Sequence, residues 1–119
     1  MPMKCISAGA FLAAFSVLAG AFGTHALQGK IGYDLFDLFK TGTQYLTLHS
    51  LGLILYGLFK PEKVWPALAF VAGMVLFTGS LYGITFTAIR SLGMITPFGG
   101  LLFIAGWIGF ALEARKRMS

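Results

Sequence analysis

The residues with the widest chemical reach are the chain's two histidines, His25 in "GAFGTHALQG" and His49 in "TQYLTLHS". An imidazole can hold a metal or a haem iron, carry a proton near neutrality, or hydrogen-bond across a helix contact. Hydroxyls recur around them. At about 100° per residue, Tyr45, His49, Gly52 and Tyr56 fall in one stripe of a helix, and Thr78, Tyr82 and Thr85 in a stripe of the next. Polar groups facing lipid would have no partner, so both stripes are expected to point inward. A polar seam between the second and third helices follows, and water or protons could use it.

Each chemistry asks for more than the histidines supply. Axial haem ligation needs two imidazoles at nearly one depth. His25 lies near the end of its helix and His49 well inside its own, a depth difference of roughly 9 Å at 1.5 Å per residue. A zinc site would need further ligands, and neither a cysteine nor a buried carboxylate stands nearby. The single Cys5 excludes an intramolecular disulfide. Proton-coupled carriers use a titrating group inside the membrane, whereas Asp34 and Asp37 are interfacial, Glu62 is in a loop and Glu113 is at a helix end. There is no acid–base pair, activated nucleophile or phosphate loop, so no enzymatic activity and no cofactor or metal are expected. His25 is expected to cap or staple the end of the first helix, and His49 to hydrogen-bond within the seam.

The positioning elements follow from composition. Of the 119 residues, 57% are hydrophobic and only 11% charged, against about 25% charged in a soluble domain. A chain this small and apolar cannot hide its side chains in a core of its own, so a bilayer must cover them. A spanning helix needs about 20 apolar residues, and four such runs occur, at about 5–27, 41–59, 66–89 and 97–113. Trp65 and Pro66 mark the start of the third. Thr96 is placed to cap the fourth, with Pro97 in its first position. The first run is too long for a signal-peptide core and meets no polar break, so it is read as an uncleaved helix. The expected fold is an all-α membrane protein, a single four-helix transmembrane bundle over 1–119.

Between the first two spans, "KIGYDLFDLFK" sets Ile31, Leu35, Leu38 and Phe39 on one face and Asp34, Asp37 and Lys40 on the other. That pattern predicts a short amphipathic helix over about 30–40 lying in the interface, as a cover or a lid. Arg90 could pair there with Asp34 or Asp37. Six basic residues (Lys4, Lys60, Lys63, Arg115, Lys116 and Arg117) fall on one side and three (Lys30, Lys40 and Arg90) on the other. Both termini are therefore expected to be cytoplasmic. The net charge of +5 is read as topology signal, with the basic tail near anionic headgroups, and not as a nucleic-acid surface. Small residues four apart, such as Gly9–Ala13, Ser16–Gly20, Ala69–Gly73 and Ala105–Gly109, predict thin helix contacts, within the chain or between chains.

The motifs "GAFGTHAL", "TGTQYLTLHSLGL", "FTGSLYG" and "ITPFGGLLFIAGW", in this order and spacing, resemble the YgdD-like family of small four-span bacterial inner-membrane proteins. That family is related to the eukaryotic transmembrane protein 256 family. The resemblance runs through all four spans and departs at Thr24, where the family often has Ala. It implies a multi-pass inner-membrane protein and carries motif positions onto Gly20, Gly23, His25, Gly42, Tyr45, His49, Gly79, Ser80, Tyr82, Thr96, Pro97, Gly99, Gly100 and Trp107. It implies no activity. The expected role is association in the bilayer with a second copy or another membrane protein. The alternatives are a small-solute, ion or proton conduit along the seam and, behind it, a His-ligated haem or metal protein.

Overall fold

The computed structural model describes residues 2–118, and they are nearly all helical. Four helices follow one another: α1 (Pro2–Leu27), α2 (Tyr33–Leu58), α3 (Trp65–Thr87) and α4 (Thr96–Met118). Three helical stretches are long and apolar enough to cross a bilayer: Pro2–Leu27, Trp65–Thr87 and Arg90–Arg117. The remaining helix, α2, has 26 residues and is about 39 Å long at 1.5 Å per residue. It carries Asp34, Asp37 and Lys40 near one end and His49 in its middle.

The breaks have local causes. Gly29 adopts φ +79°, which only glycine takes without penalty, and turns the chain out of α1. Asp34 in the first turn of α2 favours the positive end of the helix dipole. Lys60 (φ 51°) and Ala88 (φ 59°) end α2 and α3 in the left-handed region. At Ala88 the backbone N–H still reaches the Ile84 carbonyl at 2.7 Å. A short 3₁₀ turn, Arg90–Met94, then leads into α4.

The helices pack in chain order. α1 lies along α2, α2 along α3, and α3 along α4, in a body measuring 51 × 27 × 18 Å. The buried face of α2 reads Phe36, Phe39, Gly42, Leu46, His49, Leu53 and Tyr56, the spacing of three and four that keeps one helix side inward. Leu46, Leu53 and Tyr56 meet Phe70 and Met74 of α3 and Phe103 of α4 in the core.

The segment over 30–40 is not a separate interfacial helix. Residues from Tyr33 onward are the first turns of α2, which continues unbroken past Gly42. No proline interrupts it, and a lone glycine costs a helix only about 1 kcal/mol. Its apolar face is turned onto neighbouring helices: Phe39 stacks on Tyr82 with ring centroids 4.9 Å apart and packs against Gly23. Nor does Thr96 cap α4, because the helix already includes it and its hydroxyl pairs with Ser80 of α3.

Two π-helical turns were not legible from periodicity, Ala19–Gly23 in α1 and Met74–Thr78 in α3. Such a turn inserts one residue into the helical register. In α3 it brings the Phe77 backbone against Gly99 of α4, where an added methyl would lie 2.5 Å from the Phe77 nitrogen.

Candidate functional site

The stripes predicted on α2 and α3 part into two polar systems on different sides of α2. The first joins α2 to α3. Thr78 donates to the Gly42 carbonyl at 2.9 Å, and Thr85 shares its proton between the Leu35 carbonyl at 3.2 Å and Leu81 in its own helix. Thr43 donates to the Phe39 carbonyl at 3.0 Å, so the 2.6 Å contact with Tyr82 must have the phenol as donor. Thr43 escaped the sequence reading because a threonine that bonds back to its own helix has no distinctive spacing.

His49 belongs to the second system, between α2 and α4. It is only 2% exposed. Its ring stacks on Phe103 at 3.5 Å between centroids and 12° between planes, and meets Phe70 edge-on at 5.6 Å. The Trp107 indole N–H donates to Nε2 at 2.9 Å, while Nδ1 lies 2.7 Å from the Tyr45 carbonyl. An indole N–H can only donate and a carbonyl can only accept. The imidazole is therefore neutral, with its proton on Nδ1 and the Nε2 lone pair directed at the indole. Gly52 makes room for this pair, since a methyl there would stand 2.9 Å from the Trp107 ring.

The other predicted residues fall elsewhere. His25 is exposed near the end of α1 and does not staple that end; the contact there is Gly23 against Phe39, because a glycine lets the phenyl ring approach the α1 backbone. Tyr45 is 40% exposed and leaves the polar seam for ring contacts, tilted by 47° against Phe77 at 4.6 Å between centroids and stacked on Phe103 at 6.2 Å. Tyr56 is fully buried but also leaves the seam, donating to the Lys63 carbonyl at 2.6 Å and so tying down the loop after α2. These shifts share one cause: even a stripe of about 60° on α2, at about 100° per residue, touches two neighbours. Ser80 donates to the Phe77 carbonyl at 2.9 Å, so in its contact with Thr96 the threonine is the donor. Pro97 is exposed, Gly100 borders the α2–α4 cleft, and Gly20 lies against Thr43. Gly79 faces open space.

At the end opposite Lys60, Arg90 hydrogen-bonds Asp34, which holds that carboxyl below its ordinary range, the hydrogen bond being the largest cause. Asp37 takes no part in the pair and is exposed.

Beside His49 an open cleft of about 320 Å³ is lined by Tyr45, Leu48, Phe77, Gly100 and Trp107. Chemically, then, the arrangement offers satisfied hydrogen bonds and aromatic contact. Among the described residues, no three His, Cys, Asp or Glu side chains gather where they could hold a metal ion.

The family described as "Protein of unknown function (DUF423)" matches residues 19–100. The chain is 42% identical to a UPF0382 membrane protein of Staphylococcus haemolyticus, over 91% of this chain and 92% of the relative. It is 41% identical to the UPF0382 membrane protein YwdK of Bacillus subtilis, over 91% and 93%. A UPF0382 membrane protein of Staphylococcus epidermidis is 38% identical, over 91% and 92%. No solved structure matches the chain. The chain belongs to the DUF423 family of UPF0382 membrane proteins.

Proposed function

We propose that this DUF423 member is a four-span protein of the bacterial inner membrane, without enzymatic activity, that acts by pairing with a second copy of itself through the outward face of α1. α2 is the fourth span, a single transmembrane domain results, and both termini face the cytoplasm, on the side of the six basic residues. The basic tail 115–117 lies at anionic headgroups. The YgdD-like and transmembrane protein 256 families are its wider kin.

One observation carries the pairing. α1 packs on α2 alone to any extent, and its opposite side leaves Ser7, Ala10, Ala14, Val17 and Ala21 exposed. That spacing of three and four with small side chains is the pattern that lets two helices approach closely in lipid. The glycines of α1 are not available for this, because Gly9 and Gly23 already meet Ile54 and Phe39 of α2. The conduit reading loses its carrier, since protonating His49 at Nε2 would set two donors, imidazolium and indole, against each other. Haem or metal ligation by His49 would likewise require breaking the Trp107 bond.

Cysteine cross-linking in membranes tests this. In a Cys5→Ser background, Ala14→Cys should give a disulfide-linked dimer and Ile104→Cys on α4 should not. Failure of Ala14→Cys and Ala10→Cys to cross-link would overturn the pairing. Solute flux in liposomes holding only this protein, abolished by His49→Ala, would restore the conduit.

A further inference from the structure

We propose that the groove between α1 and α3 holds one acyl chain of an anionic glycerophospholipid, with the headgroup phosphate at Lys4. This is a different face from the one that pairs α1. Two clefts of about 190 and 280 Å³ lie next to each other along this groove, with Val71 lining both. Their floor is Leu53 and Leu46 of α2, and their walls include Ala8 and Leu12 of α1 and Val75 of α3. At the far end Gly79 lines the cleft and leaves it open, with nothing within 4 Å of where a methyl would stand. From Val64 to Gly79 the groove runs about 22 Å at 1.5 Å per residue. One leaflet of a hydrocarbon core about 30 Å thick needs about 15 Å. A single chain fits lengthwise, whereas a helix about 10–12 Å across does not fit clefts of this size.

Charge selects the headgroup. Lys4 is the one charged residue lining either cleft, and it stands at the end where the groove opens. Lys63 adjoins the lining residue Val64 in sequence. Among the described residues, neither lysine has an acidic partner. The acids at this end are engaged or turned away: Glu62 lies 4.0 Å from Lys116, and Glu113 is buried. Two unpaired cations at the mouth of an apolar groove complement a phosphate carried on a hydrocarbon chain. A lysine near an anionic lipid contributes about 1 kcal/mol, or about fivefold in affinity.

The experiment is native mass spectrometry of the full chain in mild detergent, given equal amounts of phosphatidylglycerol and phosphatidylcholine with identical acyl chains. Wild type should retain phosphatidylglycerol in several-fold excess. Lys4→Gln should lower that preference about fivefold, and Lys40→Gln, at the opposite end of the protein, should leave it unchanged. Val71→Trp fills the groove from a partly lipid-facing position that tolerates a large apolar side chain, and should reduce retention of both lipids. Equal retention of the two lipids by wild type would overturn the proposal. So would a preference untouched by Lys4→Gln, or retention untouched by Val71→Trp. Val75→Cys cross-linking to a second copy would give the groove to a protein partner and overturn it too.

Discussion

Replacing Trp107 by Phe removes one proton donor and leaves an aromatic ring in place. His49 is 2% exposed, so its Nε2 has no water to turn to. The 2.9 Å bond is a neutral one, and such bonds contribute about 0.5–1.5 kcal/mol net, whereas an orphaned buried acceptor costs about 1–3 kcal/mol. Hydrogen bonds measured inside membrane proteins average nearer 0.6 kcal/mol, because the unfolded chain also finds partners. His49 is enclosed by Phe70, Phe103 and Trp107, so rescue from within the chain is remote, and a loss of about 1–2 kcal/mol is expected.

The assay is reversible unfolding in mixed micelles followed by helix circular dichroism, with Trp107→Phe, His49→Phe and the double variant. Each single change orphans one partner. The double change removes both, so it should cost less than the sum by about 1 kcal/mol, the mark of a direct pair. Nitrogen-15 NMR of the imidazole supplies an independent reading. It should show the proton on Nδ1 and an unprotonated Nε2 in wild type. Additive single costs, or an Nε2-protonated ring in wild type, would refute the locked neutral imidazole.

Four further outcomes are expected. Gly99→Ala would set a methyl 2.5 Å from the Phe77 nitrogen and 2.8 Å from its Cα; backbone cannot swing aside, so α3 and α4 must separate at a cost of about 1–3 kcal/mol or more. Gly79→Ala, which meets nothing within 4 Å, should be neutral or stabilising by up to about 1 kcal/mol in the same unfolding assay. The Asp34–Arg90 pair is an exposed one, and it lowers the folded-state value of Asp34. Its contribution is therefore complete above the ordinary aspartate range near about 3.9 and lost as pH falls through the lowered value. The small stability gap between wild type and Asp34→Asn should accordingly close at acid pH and in high salt, and a gap that widened on acidification would contradict the pairing. Ala88→Gly relieves a left-handed alanine (φ 59°), a strain of about 1–2 kcal/mol offset by about 0.5–1 kcal/mol of glycine entropy. A small rise in the unfolding midpoint should follow.

Three long apolar helices were legible because they rest on quantities that local sequence carries, such as apolar length and the proline at 66, whereas the unbroken start of α2 at Tyr33 was not. Partner choice was not. His49 and Thr78 both lie on inward stripes, and spacing alone cannot say that one reaches α4 and the other α2. The π-helical turn at Met74–Thr78 hides this further, since the extra residue rotates everything after it relative to everything before. Trp107 was visible only as a motif position, yet it is the residue that fixes the protonation of His49. A signal did exist: Gly52 sits one turn beyond His49 on an otherwise bulky face, and a missing side chain beside a buried polar group marks where a large ring must enter.

The distribution of small residues separates inner from outer contacts. Glycines at 9, 42, 73, 99, 106 and 109 each face a side chain or backbone of another helix of the same chain, within 3.2 Å of where a methyl would stand. They set the thickness of the fold and cannot also serve a partner. The alanines of α1 at 10, 14 and 21 are exposed instead, where a leucine would gain as much from lipid. Helix contacts in a bilayer gain little from apolarity and much from close approach. A run of small side chains kept on the outer face of the least buried helix fits the proposed pairing with a second helix, and on that proposal substitution of Ala14 by Leu should abolish the Ala10→Cys cross-link while leaving the monomer's unfolding free energy within about 0.5 kcal/mol of wild type.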